Sequence, residues 1–148
     1  MNLQKLLLLP GSLRAFRLRT GMSQKALALS VSVDQAVLCA AEKGRRGPLP
    51  DEAMVRLAKS LGLAPDERES LRWQGEHDRL LKEIARGPLS GAMEIVSTAV
   101  VAHNRLGPRA RAGLIELLKR KALSGQDVHD LEDLVGGSNE EPKEVAMT

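Results

Sequence analysis

Aromatic side chains are nearly missing: there is no Tyr, and Phe16 and Trp73 stand alone among 148 residues. That scarcity removes the stacking platforms on which proteins hold single-stranded bases, so among nucleic acids duplex DNA is favoured over RNA. Cysteine is represented by Cys39 alone, which excludes a disulfide framework and fits a reducing, cytoplasmic compartment. The leucine run Leu6 to Leu9 is shorter than a secretory apolar core, and no stretch approaches the length needed to cross a bilayer. No leader and no membrane span are therefore expected. His77, His103 and His129 lie far apart, with no HExxH pattern and no cysteine pair, so no metal site is expected. There is also no phosphate-cradling glycine loop and no nucleophile elbow, so the chain reads as neither an enzyme nor a cofactor carrier.

What is present is helix-forming sequence of about one domain plus an extension. An apolar content of 43% can bury a core, and no alternating strand pattern interrupts the helical periodicity. The net charge is only +3, but it is unevenly placed. Residues 1 to 50 carry eight Lys and Arg against two acidic side chains, while residues 51 to 88 carry seven against eight and residues 89 to 148 seven against nine. A polyanion would meet the N-terminal third first, and salt would weaken that attraction through counterion release.

The order of caps and apolar positions predicts an all-α domain of five helices. Ser12 caps a first helix through Thr20, with Leu13 and Phe16 inward and Gly21 as the stop. Ser23 caps a second carrying Leu27, Ala28 and Val31, and Asp34 caps a third with Leu38 and Ala41 inward. Pro48 and Pro50 close a loop, and Asp51 and Glu52 open a fourth with Met54, Leu57, Ala58 and Leu61 on its inner stripe. Pro65-Asp66-Glu67 opens a fifth helical region that includes Leu71 and Trp73, breaks at Gly75 and resumes through Leu80, Leu81 and Ile84.

Helices two and three have the layout of a DNA reader. Ala28 is small enough for close approach across the turn, and Val33 fills the corner between the two helices. The third helix then presents Gln35, Ala36, Val37 and Ala40, and it ends in the basic knuckle Lys43-Gly44-Arg45-Arg46. Gln can bond bidentately to adenine and Ala or Val can touch a thymine methyl, each good bidentate pair being worth about 1–3 kcal/mol of discrimination. Cys39 in the same helix reads as a small packing residue.

The segment LRAFRLRTGMSQKALALSVSVDQAVLCAAEKGRRGPLPDEAMVRLAKSLGL resembles the Xre/Cro phage-repressor type of helix-turn-helix domain over about residues 12–74. The matching signs are Leu13-Arg14, Phe16-Arg17, Gly21, Ser23-Gln24, Leu27-Ala28, Val33, Leu38, Glu42-x-Gly44-Arg45-Arg46, Pro48 and Leu57-Ala58. The resemblance implies that Arg17 pairs with Glu42, that Gln24 braces a phosphate, that Gln35 and Ala36 face bases, and that Lys43, Arg45 and Arg46 follow the backbone. The full candidate DNA-contacting set is Ser23, Gln24, Lys25, Asp34, Gln35, Ala36, Val37, Ala40, Lys43, Arg45 and Arg46. The turn position commonly occupied by glycine in this family is Ser32, which costs on the order of 1 kcal/mol if φ is positive.

Residues 1–11 read as an N-terminal extension, 12–87 as the DNA-binding domain, 88–135 as a helical oligomerisation segment and 136–148 as a mobile tail. Within the third part, Ala92, Ile95, Val96, Ala99 and Val100 form one apolar stripe. Leu114, Ile115, Leu117 and Leu118 form another, and Ser124 caps a short helix with Val128, Leu131 and Val135. A dimer interface through Ile95, Val96, Ala99, Val100, Leu114, Leu117 and Leu118 is expected, because two recognition helices about 34 Å apart meet successive major-groove faces of a palindrome. The expected protein is a cytoplasmic, homodimeric repressor of transcription that binds double-stranded DNA. The alternatives are an antitoxin that binds its own promoter and neutralises a toxin, and a helical protein adaptor.

Overall fold

In a computed structural model, residues 2–124 are described, and within them the secondary structure is helical. The helices are α1 (Leu3–Leu6), α2 (Leu9–Thr20), α3 (Gln24–Ser30), α4 (Gln35–Glu42), α5 (Asp51–Ser60), α6 (Pro65–Arg86), α7 (Met93–Arg105) and α8 (Pro108–Leu123), with a 3-10 turn at Ser90–Ala92. The chain divides into two compact units, Met1–Val101 and Ala102–Thr148. The expected short helix with Val128, Leu131 and Val135, and the tail beyond it, lie outside the described residues.

The core of the first unit is built from one leucine or so per helix. Leu13 of α2, Leu27 of α3, Leu38 of α4, Leu57 of α5 and Leu71 of α6 are buried together, with Val31, Leu49 and Leu63 from the connections. Fully burying each such side chain contributes about 1.5–3 kcal/mol, enough to hold short helices that would be marginal alone. Ala28 and Ala41 are buried beside them, and Val33 and Phe16 pack partly against the cluster. The small residues let α3 and α4 approach as the sequence implies.

Local caps decide the helix ends. Ser23 accepts a hydrogen bond from the Ala26 amide at 3.0 Å, and Asp34 accepts one from the Ala36 amide at 2.7 Å, so both sequence-read caps are in place. Gly21 ends α2 in the left-handed conformation, at φ 71°. Between α3 and α4 the amide of Val33 donates back to the Ala28 carbonyl at 3.0 Å, and Ser32 takes φ 56°.

Three sequence expectations are corrected here. Ser12 does not start the first helix: α2 begins at Leu9, one turn earlier, and the side chain that serves its first amides is Asp78 from α6. The N-terminal extension expected over residues 1–11 accordingly overlaps the domain at its end, since Leu9 is buried in the core. Gly75 does not break the fifth helix, because α6 runs unbroken over 22 residues. A mid-helix glycine costs about 1 kcal/mol, and that is outweighed where Leu71, His77, Asp78 and Leu81 are buried on either side of it. Gly75 itself is buried, and a Cβ there would be in ordinary contact with Met54 and Pro48.

The first unit continues past Pro88 into α7. Met93 and Ser97 are its buried residues, while Ile95 is 70% exposed and Ala99 lies at the surface. The stripe expected at Ile95 and Ala99 therefore does not face this unit's own core. In the second unit α8 buries no residue completely, and Ile115, Leu117 and Leu118 each remain nearly half exposed.

Replacing Ser32 by Gly is expected to stabilise the first unit by up to about 1 kcal/mol, because a Cβ is disfavoured at positive φ. Urea denaturation measures this, and a lowered midpoint would contradict it.

Candidate nucleic-acid interface

Helix α4 is anchored from behind. Arg17 on α2 donates through Nε to Glu42 Oε1 at 2.6 Å and through Nη2 to Oε2 at 3.0 Å, and its Nη1 reaches the Met22 carbonyl at 3.0 Å. Gln24 on α3 donates to Glu42 Oε2 at 2.7 Å. The Arg17 and Glu42 side chains are 11% and 2% exposed, so one buried carboxylate joins α2, α3 and the last residue of α4. Burial pushes the Glu42 carboxyl up, but hydrogen bonds from Arg17 and Gln24, with the charges of Arg17 and Arg14, outweigh it and hold the group below its ordinary range. The hydrogen bond to Glu42 raises Arg17 in turn.

With its last residue pinned, α4 turns its leading edge outward. Gln35 and Ala36 are exposed immediately after the Asp34 cap. Val37 departs from its expected place: it packs partly against the core, so only a portion of that side chain is open. Ala40 is half-buried, and its carbonyl accepts the Arg45 and Arg46 amides at 3.0 and 3.3 Å. Those two bonds fold the knuckle back on α4 through Gly44, at φ 67°. Cys39 is a free, half-buried thiol.

The remaining candidates sort by what they already hold. Lys43, Arg45 and Arg46 are exposed, and among the described residues none has a side-chain hydrogen bond or ion pair. Ser23 and Lys25 are exposed at the start of α3, with the Ser23 hydroxyl engaged as a cap. Gln24 is half-buried and its amide nitrogen is committed to Glu42, so a phosphate contact would have to use the second hydrogen of the same group. Asp34 is occupied as a cap.

Sequence reasoning missed several supporting groups. Arg56 of α5 donates to the Val31 carbonyl at 3.0 Å, holding the end of α3. Arg19 and Glu67 form a bidentate pair between α2 and α6, and with the Ala64 amide the pair lowers the Glu67 carboxyl to about 2. His77, read as an isolated histidine, is buried with Asp78 and Ser97. No local pattern marks most of these contacts, since Val31, Glu67 and Ser97 lie many positions from Arg56, Arg19 and His77, and only Asp78 is a sequence neighbour of its partner His77. A groove of about 560 Å³ between α5 and α6, floored by Met54, Ala58 and Leu71, is lined by none of the candidate DNA-contacting residues.

Replacing Glu42 by Gln should cost on the order of 2 kcal/mol at neutral pH, since it leaves Arg17 buried without its counter-charge. Because the folded carboxyl titrates below its ordinary 4.5, the ion pair's contribution is complete above that value and is lost as pH falls through the folded pKa. The stability gap between the two proteins should therefore close in acid. A gap that stays constant down to the acid transition would show that the charge is not responsible.

Residues 11–71 match the family model described as a helix-turn-helix domain, whereas no curated protein and no solved structure matches the chain. The matched span reaches from α2 into α6 and includes the Arg17–Glu42 anchor and the exposed edge of α4, and it supports a helix-turn-helix domain over those residues.

Proposed function

We propose that the chain is a sequence-specific regulator of transcription of the Xre/Cro type, a homodimeric repressor that reads a palindromic operator through the major groove. The observation that carries this reading is the outward edge of α4. Gln35 and Ala36 are exposed at its start, unpaired Lys43, Arg45 and Arg46 stand at its end, and Glu42 is locked from behind. A rigid helix with an amide at its leading edge suits adenine recognition, and flanking cations suit the two strands, where they set position without reading sequence. Ser23, Lys25 and the free hydrogen of Gln24 extend the same backbone contact from α3. With a short list of reading groups, DNA shape and half-site spacing carry part of the specificity.

Dimerisation is assigned to the apolar side chains Ile95, Val96, Ala99 and Val100 on α7 and Leu114, Leu117 and Leu118 on α8, of which Val96, Val100 and Leu114 are half-buried. Among them Ile95, Leu117 and Leu118 are substantially exposed, and covering them with a second copy removes apolar area from water. No described helix is long and apolar enough to cross a membrane, and the reading places the protein in the cytoplasm.

Gel-shift titration against genomic fragments tests this reading, and binding that shows no sequence selectivity would overturn it. Gln35→Ala should relax base preference with little loss of non-specific affinity. Arg45→Ala with Arg46→Ala should weaken every sequence and flatten the salt slope by about 2; the reverse pattern would mean that reader and positioner are exchanged. Leu117→Asp with Leu118→Asp should halve the mass measured by light scattering, and an unchanged mass would place the interface elsewhere. A different small protein that co-purifies through α8 would favour the antitoxin reading.

A further inference from the structure

Helix α2 has no cap of its own, because its N-cap residue is Leu8 and offers no side-chain acceptor. The acceptor comes from α6. Asp78 Oδ1 takes the Leu8 amide and Oδ2 the Leu9 amide, both at 3.0 Å, and the carboxylate is 2% exposed. A carboxylate at this position satisfies two orphan amides and meets the positive end of the helix dipole. Asp78 is held in turn. His77 Nδ1 lies 2.8 Å from Asp78 Oδ1, and His77 Nε2 lies 2.9 Å from the Ser97 hydroxyl of α7. With the carboxylate acting as acceptor, Nδ1 carries the hydrogen toward Asp78, and the second ring nitrogen is held by Ser97. This Ser-His-Asp series is buried, with the Ser97 residue 7% exposed, and the groove between α5 and α6 does not include it. It is a clasp, not a nucleophile open to substrate.

What the clasp holds in place is next to the recognition helix. Leu7 and Pro10 flank the two clasped amides, and both lie over Gly44: a Cβ there would come within 3.2 Å of Leu7 Cδ1 and 3.5 Å of Pro10 Cγ. Gly44 precedes Arg45 and Arg46. The same helix α2 grips the other side of the turn, through Arg17 on Glu42. The end of α4 thus sits between two attachments of one helix, and Asp78 sets the first of them.

We propose that Asp78, oriented by His77 and Ser97, is a positioning residue for DNA binding. It fixes the start of α2, through Leu7 and Pro10, against Gly44, and so sets the direction in which Arg45 and Arg46 leave the recognition helix. The inference rests on the DNA-binding reading above and adds to it a second support for the phosphate-facing groups, independent of the Arg17–Glu42 pair.

The test is a double-mutant cycle on the full chain. Its probe is a mixed-sequence B-form duplex at low salt, so that no operator need be known. Asp78→Asn, at a temperature where circular dichroism shows it folded, should lower affinity about tenfold and flatten the salt slope by about 1 to 2. In a background already carrying Arg45→Ala and Arg46→Ala, the same substitution should change affinity less than about twofold, because its effect passes through those side chains. If Asp78→Asn does not fold, Leu7→Ala takes its place in the cycle, since it loosens the contact with Gly44 and leaves the cap intact. Equal losses in both backgrounds would overturn the proposal and leave Asp78 a stability residue only. Failure of the unmodified protein to bind any duplex would instead overturn the DNA-binding reading itself, with this inference falling as its consequence.

Discussion

A buried carboxylate with three donors is the constraint on which the candidate interface depends. Glu42 is the last residue of α4, and it takes two hydrogen bonds from Arg17 and one from Gln24 in a site nearly closed to solvent. Such a pair adds little net stability, because removing two charges from water costs about what their attraction returns. Its effect is directional. A bidentate guanidinium fixes both distance and plane, so α2, α3 and α4 meet in one arrangement, and α4 can expose its leading edge without losing orientation.

Around that point the core supplies energy and the caps supply geometry. The leucines of α2 to α6 form one cluster, and their burial drives the short helices together. It would do so with α4 rotated somewhat either way, since apolar contacts are not directional. The Asp34 cap, the back-bonded turn at Val33 and the two amides returning to Ala40 remove that freedom. What remains exposed is Gln35 and Ala36 at the start of α4 and Lys43, Arg45 and Arg46 just past its end, a polar edge with cations beside it that would suit a wide, negatively charged groove.

α6 contributes to the same interface from a distance. It caps α2 through Asp78 and pairs with it through Glu67, with Arg19 as the partner. Its residues Trp73 and His77 meet edge to face, with ring centroids 6.3 Å apart. The helix is thus a strut for α2, which in turn carries the anchor of α4. α8 is built differently, with an apolar surface that its own unit leaves half open.

Much of the fold was legible in the chain because it is written locally. Ser23 and Asp34 announce helix starts by side-chain chemistry that acts within three residues, Gly21 announces a stop, and Leu13, Leu27, Leu38, Leu57 and Leu71 fall on the helical period of their own segments. The Arg17–Glu42 tie came from resemblance to a family pattern, since nothing in 25 residues of separation specifies a partner. Only the tertiary structure decided that α2 begins at Leu9, that α6 passes through Gly75, that Val37 turns partly inward and that Ile95 does not face the core of its own unit. Each of these turns on a contact between distant segments. An amide at Leu9 is capped only when Asp78 arrives from another helix, and a glycine stays helical only when the helix around it is buried, so short-range preference yields to packing wherever the two compete.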